Sequence, residues 1–347
     1  MRYRQFGRGT GLRVSQICLG TALFGTGWGY GADPAEATRI FEKFAAAGGT
    51  FIDTADSYQF GEAETILGGL LARQRDAFVL ASKYSLGSGP RPSVATTGNS
   101  RKTLVQSVEA SLRRLNTDRI DLYWVHMDDG ITASEEIVRG LDDVVRAGKV
   151  IYVGFSDFAA WRVARAATIA ELRGWAPVIG IQTEYSLVER TSDRELIPMA
   201  QAMGLGIASW SPLGGGLLTG KYRRGEPGRA TTFGAIVHRE DSPRITAILD
   251  ALTIVAEETN ASLSQVALAW QCARGIVPIV GPRTVDQLDD NLGASAVTLT
   301  GDQLGRLGAA SAVPLGFPHD FLADPMQFNT LAGGNPDAII WPDQPAP

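Results

Sequence analysis

The chain has 347 residues, of which 44% are hydrophobic and 20% are charged, and its formal net charge is -5. This composition is typical of one large globular domain and excludes a disordered or fibrous chain. The mild negative charge, with no run of Lys and Arg residues, gives no support for binding to nucleic acid or to an anionic membrane.

The cysteines and the N-terminus predict a cytoplasmic protein. Cys18 and Cys272 are far apart and belong to no Cys-x-x-Cys motif, which favours reduced thiols among apolar neighbours. The first residues contain no apolar segment of the signal-peptide type, and no segment reaches the roughly 18 apolar residues that would span a bilayer. No His-x-x-x-His pair is present, and His238 and His319 are isolated in predicted loops, so no metal site is expected.

The predicted elements begin with a small hairpin within residues 1–15, where residues 3–14 alternate weakly around glycines. After it, short apolar runs alternate with amphipathic segments. Strands are predicted at residues 17–19, 50–53, 78–82, 120–125, 150–155, 177–181, 205–208 and 276–280. Helices are predicted at residues 34–47, 62–73, 100–115, 134–147, 158–173, 193–203, 242–258, 262–274 and 284–294. A Gly/Arg-rich stretch, residues 213–238, interrupts this alternation.

This alternation of strands and helices predicts an α/β fold, a single (β/α)8 TIM barrel that spans residues 1–347. The alternative is an open doubly wound sheet. That fold usually carries a Gly-x-Gly-x-x-Gly motif after its first strand, and the glycines of residues 25–31 have a different spacing. The C-terminal tail, residues 310–347, is rich in Pro and Phe and is predicted to fold over the mouth of the barrel.

Several polar residues lie where predicted strands end, which is where a barrel of this kind has its active site. Asp53 ends the second strand, Lys83 follows the third and His126 ends the fourth. Alone, the aspartate would be a helix cap or turn residue, and the histidine could equally be a core residue. A lysine that closes a buried apolar run needs an anionic partner, however, and Asp53 on the adjacent strand is the expected one.

Together with Tyr58, these residues form a set suited to passing a proton to or from a substrate oxygen. A tyrosine has an ordinary pKa near 10, which is too high for ready proton exchange near neutrality. The Lys83 ammonium is expected to lower the pKa of the Tyr58 phenol, while Asp53 holds the lysine charged. His126 can hydrogen-bond to the same substrate oxygen.

With these four residues in place, the chain resembles an aldo-keto reductase of the aryl-alcohol-dehydrogenase-like branch. The similarity extends over nearly the whole chain. The segments that carry it are residues 20–21, 51–58, 119–126, 148–156, 181–186, 209–214, 277–284 and 316–321.

The resemblance implies an NADPH-dependent carbonyl reductase, in which hydride passes from nicotinamide C4 to a carbonyl carbon and Tyr58 donates the proton. It also implies that Tyr185 stacks on the nicotinamide, that Ser156 and Gln182 bind its carboxamide, and that residues 211–221 cover the pyrophosphate. Arg283 is the implied partner of the 2′-phosphate, at a helix start that favours anions. The implied cofactor residues are Gly20, Thr21, Ser156, Gln182, Tyr185, Ser209, Trp210, Ser211, Leu213, Gly215, Lys221, Gly281, Arg283, Thr284, Gln287 and Asn291.

Three positions depart from the family pattern. Ile279 stands where other branches have a lysine. The resemblance therefore supports hydride transfer more strongly than it supports a preference for NADPH over NADH. Asp157 stands where the family often has asparagine, and an ionised carboxylate cannot donate a hydrogen bond. Asp128 stands where aromatic residues are common.

A small-molecule carbonyl or alcohol is the expected substrate. Asp128 and Asp129 either face this substrate or form a solvated turn. The expected pocket walls are Trp28, Tyr30, Tyr84, Met127 and Trp210, with Asp128 beside them.

A barrel of this kind can also serve other functions. A glycoside hydrolase would need two carboxylates across the site, and the fourth and seventh strands end in His and Ser-Trp-Ser instead. A cofactor-binding regulatory subunit of the same fold, with little turnover, stays open as an alternative.

Overall fold

The structure is a computed structural model that describes residues 1–226 and 238–340. The strands are β1 Tyr3–Gln5, β2 Arg13–Ser15, β3 Cys18–Gly20, β4 Phe51–Asp53, β5 Val79–Tyr84, β6 Ile120–Val125, β7 Val150–Ser156, β8 Val178–Glu184, β9 Gly206–Trp210 and β10 Val277–Val280. The helices are α1 Pro34–Ala46, α2 Glu62–Leu71, α3 Arg101–Leu115, α4 Ser134–Arg146, α5 Ala160–Arg173, α6 Leu196–Ala202, α7 Pro243–Thr259, α8 Leu263–Ala273, α9 Val285–Gly293, α10 Gly301–Ala310, α11 His319–Leu322 and α12 Pro325–Leu331.

Strands β3 to β10 form a closed barrel of parallel strands, so the predicted (β/α)8 barrel is confirmed. The open-sheet alternative is wrong, because β10 pairs with both β9 and β3 and leaves no edge. The barrel strands are buried on both faces, by the barrel interior on one side and by helices on the other, which is why they read as short continuous apolar runs.

Strands β5 and β8 are among those that extend further than the sequence indicated. Lys83 and Gln182 were expected to follow their strands, yet Lys83 pairs in register with Trp124 and Gln182 with Ala208. The backbone pairing continues through these polar residues because the Lys83 and Gln182 side chains both bond to the Asp53 carboxylate at the barrel mouth. Helix α10 was not predicted, although Thr300 and Gln303 form a reciprocal capping box at its start.

The N-terminal hairpin, β1 paired antiparallel with β2, closes the amino-terminal end of the barrel. The ring of Phe6 meets the rings of Phe51 and Trp124 edge to face, with centroids 5.6 and 6.2 Å apart. A Cβ atom at Gly180 or Gly206 would lie 2.5 or 2.7 Å from the Phe6 ring. Glycine at these strand positions therefore makes room for the hairpin. The hairpin closes this end of the barrel, so a ligand can enter from the opposite end.

The described part of the C-terminal tail packs against the segment that follows β8. Arg194 donates a hydrogen bond to the Pro314 carbonyl at 3.0 Å, and His319 meets Glu195 at 2.8 Å. The tail was predicted to cover the barrel mouth, but none of its described residues lines the cavity there. Residues 341–347 lie outside the described residues. No described helix combines the length and apolar character needed to cross a bilayer.

Candidate active site

A cavity of about 810 Å³ opens at the carboxyl ends of the barrel strands. It extends from the ends of β4, β6 and β7 to the start of α9. The predicted site residues that line it are Gly20, Asp53, Tyr58, His126, Ser156, Gln182, Trp210, Ser211, Leu213, Gly215, Lys221, Gly281, Arg283, Gln287, Asn291, Tyr30 and Met127.

Lys83 lies at the centre of the group formed by Asp53, Tyr58, Lys83 and His126. Its ammonium pairs with the Asp53 carboxylate and donates hydrogen bonds to the Thr54 carbonyl at 2.8 Å and to the Tyr58 oxygen at 3.1 Å. The side chain is fully buried. Burial by itself lowers the pKa of Lys83, but the charge of Asp53 and the contact with Tyr58 raise it above its ordinary value. Lys83 therefore remains an ammonium at physiological pH.

Asp53 is held from both sides by neighbours in the barrel. The Gln182 amide donates to its second carboxylate oxygen at 2.9 Å. The Asp53 carbonyl accepts the Thr21 N–H at 2.9 Å and the Thr21 hydroxyl at 3.1 Å. Thr21 itself is fully buried and does not line the cavity, so it supports Asp53 instead of contacting a ligand.

Tyr58 lies at the start of a short turn between β4 and α2. Gln59, which follows it, has a left-handed backbone (φ 50°) and anchors the loop after β3. Its side chain accepts from the Trp28 N–H at 2.8 Å and donates to the Ala22 and Tyr30 carbonyls. Trp28 packs edge to face on Tyr58 at 6.1 Å without lining the cavity.

The environment of the Tyr58 phenol differs from the sequence-based expectation. Burial raises the pKa of Tyr58, and the Lys83 ammonium offsets this increase only in part, so the pKa lies above its ordinary value. The expected lowering of the Tyr58 pKa is not found. Because the Tyr58 oxygen accepts a hydrogen bond from Lys83, its own hydrogen remains available to a group in the cavity.

His126 completes this group as a neutral imidazole. Burial lowers its pKa well below the ordinary value, and the nearby Lys83 charge adds to the effect. The ring lies edge to face with Tyr58 at 5.9 Å, and Nδ1 has no hydrogen-bond partner among the described residues. A neutral ring that lines the cavity can hydrogen-bond to a bound oxygen without carrying charge.

The wall beyond this group is formed by the ends of β7 and β9. The indole N–H of Trp210 donates to the Asp157 carboxylate at 3.0 Å, and the Ser156 hydroxyl lies 3.4 Å from the other carboxylate oxygen. Asp157 and Ser211 both have left-handed backbones, with φ of 53° and 49°. Burial raises the pKa of Asp157 to about 6, against the opposing effect of the Trp210 and Ser156 hydrogen bonds.

Tyr185 and Ser209 do not reach the cavity. Tyr185 is fully buried, stacks on Trp270 at 5.7 Å and donates to Asp193 at 2.8 Å, so it belongs to the core. Trp210 lines the cavity and Tyr185 does not, so the expectation that Tyr185 meets the cofactor is corrected. Ser209 donates to the Gln271 side chain at 2.6 Å, behind the wall.

The far end of the cavity is rich in glycine and cationic side chains. Gly214, Gly215 and Gly216 have φ of 55°, 66° and 95°, a region that favours glycine. Lys221, Arg224 and Arg283 line the same end. Arg224 pairs with Glu226 at 2.6 Å, and Lys221 and Arg283 add positive charge beside backbone that a phosphate could approach closely.

The start of α9 organises Arg283. The Thr284 hydroxyl caps the helix by accepting the Gln287 N–H at 3.3 Å, and the Gln287 side chain accepts the Arg283 N–H at 2.9 Å. Thr284 therefore shapes the site as a cap without lining it. The Arg283 guanidinium lies 4.6 Å from the centre of the Tyr30 ring.

Two further expected pocket residues lie elsewhere. Tyr84 is fully buried and stacks on Tyr123 at 5.6 Å. Asp128 forms an ion pair with Arg162 at 2.6 Å, and Asp129 accepts backbone N–H groups of Asn99, Ile131 and Thr132. The geometry favours the turn interpretation of both aspartates.

Some cavity residues were missed from sequence. Helix α8 begins with a capping box of Ser262 and Gln265, a signal that could have pointed to a helix start at the site. Arg224 lies in the Gly/Arg-rich stretch, of which residues 227–237 are outside the described residues. The missed residues are Ala22, Leu23, Arg224, Glu226, Ser262, Leu263, Ser264, Val280, Pro282, Asp286 and Asp290.

Comparison with known proteins agrees with this geometry. The profile of the Aldo/keto reductase family matches residues 16–312. A norsolorinic acid reductase of Aspergillus flavus is 34% identical over 331 residues, which cover 92% of this chain and 84% of the relative. An aryl-alcohol dehydrogenase [NADP(+)] of Phanerodontia chrysosporium is 35% identical, with 99% and 95% covered. An oxidoreductase of Bacillus subtilis is 37% identical, with 88% and 95% covered.

Proposed function

The chain belongs to the aldo/keto reductase family, and from this premise we propose that it reduces an aldehyde or ketone to an alcohol with NADPH, with Tyr58 as the proton donor. The observation that carries the proposal is the contact of the Tyr58 oxygen with Lys83, whose ammonium is paired with Asp53. This arrangement places one available phenol hydrogen at the cavity wall, beside a neutral imidazole.

The residues present fit a phosphorylated dinucleotide. The far end of the cavity combines tightly turned glycine backbone with Lys221, Arg224 and Arg283, a set of groups that suits phosphates. The near end has Trp210 as a flat wall and Ser156 and Gln182 as polar groups. A bound nicotinamide supplies the hydride. The relative whose name includes NADP(+) supports NADPH over NADH, with Arg283 as the partner of the 2′-phosphate.

In the reduction, Tyr58 acts as a general acid. Its raised pKa keeps the phenol protonated at neutral pH, which is the form that can donate. When the substrate carbonyl gains a hydride, its oxygen becomes strongly basic and takes the phenol hydrogen. The Lys83 ammonium, 3.1 Å from the Tyr58 oxygen, then stabilises the phenolate that is left.

Aromatic carbonyl compounds are the proposed substrate class. The names of the relatives, norsolorinic acid reductase and aryl-alcohol dehydrogenase, support this choice. The cavity near Tyr58 is also lined by Leu23, Met127 and Trp210, which offer apolar contact to a planar ring. The Asp128 carboxylate is occupied by Arg162, so it gives no support for a cationic substrate.

The test is NADPH oxidation with a panel of aryl and alkyl aldehydes and ketones, with Tyr58→Phe as the variant. We expect the variant to lose about 10²- to 10⁴-fold in rate while it still binds NADPH. Tyr3→Phe is the matched control, because Tyr3 is exposed and its hydroxyl bonds to the Gly48 carbonyl at 2.8 Å, far from the cavity. Full activity in Tyr58→Phe would remove Tyr58 as the acid. Tight NADPH binding with no turnover of any carbonyl would instead favour a regulatory subunit.

A further inference from the structure

Asp157 places a carboxylate in the wall of the cavity, where members of the family often have an uncharged asparagine. It follows β7, and its N–H donates to the Gln182 carbonyl at 3.1 Å, which ties the residue to the neighbouring strand β8. The side chain lines the same cavity as Tyr58, His126 and Trp210. Asp157 is close enough to Tyr58 for its charge to affect the phenol, so a ring bound beside Tyr58 would also lie within range of this charge.

Within residues 1–226 and 238–340, no cationic side chain forms an ion pair with the Asp157 carboxylate. Its carboxylate accepts hydrogen bonds from two uncharged groups, the Trp210 indole and the Ser156 hydroxyl. Lys83 contributes only a longer-range attraction, because its ammonium is already engaged by Asp53. Glu184 adds repulsion from the end of β8, where its own carboxylate meets His238 at 3.1 Å. Tyr58 also lies within electrostatic range of Asp157.

A negative charge at this place distinguishes the two redox forms of a nicotinamide. In the reduction, the C4–H bond of the reduced ring breaks, a C–H bond forms at the carbonyl carbon, and the carbonyl oxygen takes the Tyr58 proton. The ring changes from a neutral dihydropyridine to a pyridinium cation. A nearby carboxylate in a partly buried cavity attracts the cation and leaves the neutral ring almost unaffected.

We propose that Asp157 makes this protein bind the oxidised cofactor more tightly, relative to the reduced one, than an uncharged residue at this position would. The inference rests on the proposed function, since it requires a nicotinamide beside Tyr58. It assigns to Asp157 a specificity role toward the charge of the ring.

The variant Asp157→Asn isolates the charge. Asparagine has the same shape, accepts the Trp210 hydrogen bond and tolerates the left-handed backbone at φ 53°. The dissociation constants of NADPH and NADP⁺ are measured at pH 8, by the fluorescence of bound NADPH and by its displacement with NADP⁺. We expect the ratio of the NADPH constant to the NADP⁺ constant to fall about tenfold in Asp157→Asn.

The effect also has a defined pH dependence. The pKa of Asp157 is raised to about 6, so the carboxylate is ionised at pH 8 and largely protonated at pH 5. The ratio in the unmodified protein should therefore approach that of Asp157→Asn as the pH falls through this range. The variant should show no such change, since its side chain does not titrate.

Glu184→Gln is the control for charge in general. Glu184 does not line the cavity, so its removal should change the ratio by less than about twofold. An equal ratio in the unmodified protein and Asp157→Asn, with both cofactors bound, overturns this inference and leaves the proposed function intact. Failure of either cofactor to bind to the unmodified protein overturns the proposed function itself.

Discussion

Lys83 and Asp53 lie on the neighbouring strands β5 and β4, and their side chains form an ion pair that is closed to solvent. Asp53 carries the negative charge that stabilises this ammonium, because Lys83's other hydrogen-bond partners among the described residues are the neutral Thr54 carbonyl and the Tyr58 hydroxyl. Both the fold and the proposed chemistry depend on this pair, since a buried charge without a partner is strongly unfavourable.

Asp53→Asn should therefore destabilise the protein by about 3 to 5 kcal/mol, because it leaves the Lys83 ammonium buried without its counter-charge. The free energy of unfolding is measured by urea denaturation at pH 7. The double variant Asp53→Leu with Lys83→Met is the control, since it removes both charges and should be more stable than Asp53→Asn. A loss below about 1 kcal/mol in Asp53→Asn would contradict the importance of the pair.

The pH dependence of the reduction follows from the Tyr58 pKa. Because that pKa is raised, the phenol stays protonated below its ordinary value near 10, and the acid form does not diminish between pH 7 and pH 9. We expect kcat/KM for carbonyl reduction to be nearly constant over this range. Alcohol oxidation needs the phenolate as base, so its rate should rise with pH over the same interval. A decline of the reduction rate centred near pH 7.5 would show that Tyr58 ionises more easily than its burial implies.

Arg283→Leu tests the proposed 2′-phosphate contact. The variant should weaken NADPH binding by about 10- to 100-fold and change NADH binding little, because only NADPH carries the additional dianion. The measurement is fluorescence titration with each cofactor. Arg306→Leu is a matched control, since this arginine pairs with Glu258 outside the cavity. Equal losses for NADPH and NADH in Arg283→Leu would place the 2′-phosphate elsewhere.

Asp56 should make stability depend on pH. Its carboxyl is almost fully buried, and Oδ1 has no hydrogen-bond partner among the described residues. Burial and the nearby Glu64 raise its pKa to about 7, against the opposing charge of Arg114. The folded state thus keeps the proton up to about pH 7, whereas the unfolded chain loses it near pH 4, so stability falls between these values and stays lower above them.

Asp56→Asn removes the loss of stability that follows from the raised pKa of the buried Asp56 carboxyl. Its stability relative to the unmodified protein should be greatest above pH 7, by about 2 kcal/mol, and the gain should disappear below about pH 4. Thermal unfolding at several pH values measures it. Asp118→Asn is the exposed control, and it should show no such trend. A gain that is independent of pH would mean that Asp56 is ionised in the folded state.

The barrel could be predicted because its signal is local. Each barrel strand is a short apolar run, and each is followed by a segment with helical spacing, so the order of elements is visible along the chain. Helix starts such as Asp33 before α1 and Ser100 before α3 also carry their capping residues in sequence. Helix α10 was not predicted although its cap is equally local, because it follows the last helix that the barrel pattern requires.

The site was predictable to the extent that it consists of strand ends. Asp53, Lys83 and His126 come together because parallel strands in a barrel deliver their carboxyl ends to one face. The assignment of Tyr185 to the cavity was wrong, because the sequence does not show which way a side chain after a strand points. Sequence shows that an aromatic residue follows a strand, but the direction of its side chain depends on a partner, here Trp270, that is remote along the chain.

The sequence by itself determined the barrel and the group of acid, phenol, amine and imidazole at its mouth, because apolar periodicity and strand order are properties of neighbouring residues. Only the tertiary structure decided that Asp128 forms an ion pair with Arg162 and that Trp210, not Tyr185, lines the cavity. It also decided that the pKa of Tyr58 lies above that of a free phenol. These outcomes depend on burial and on through-space contacts between distant segments, which no local pattern of residues encodes.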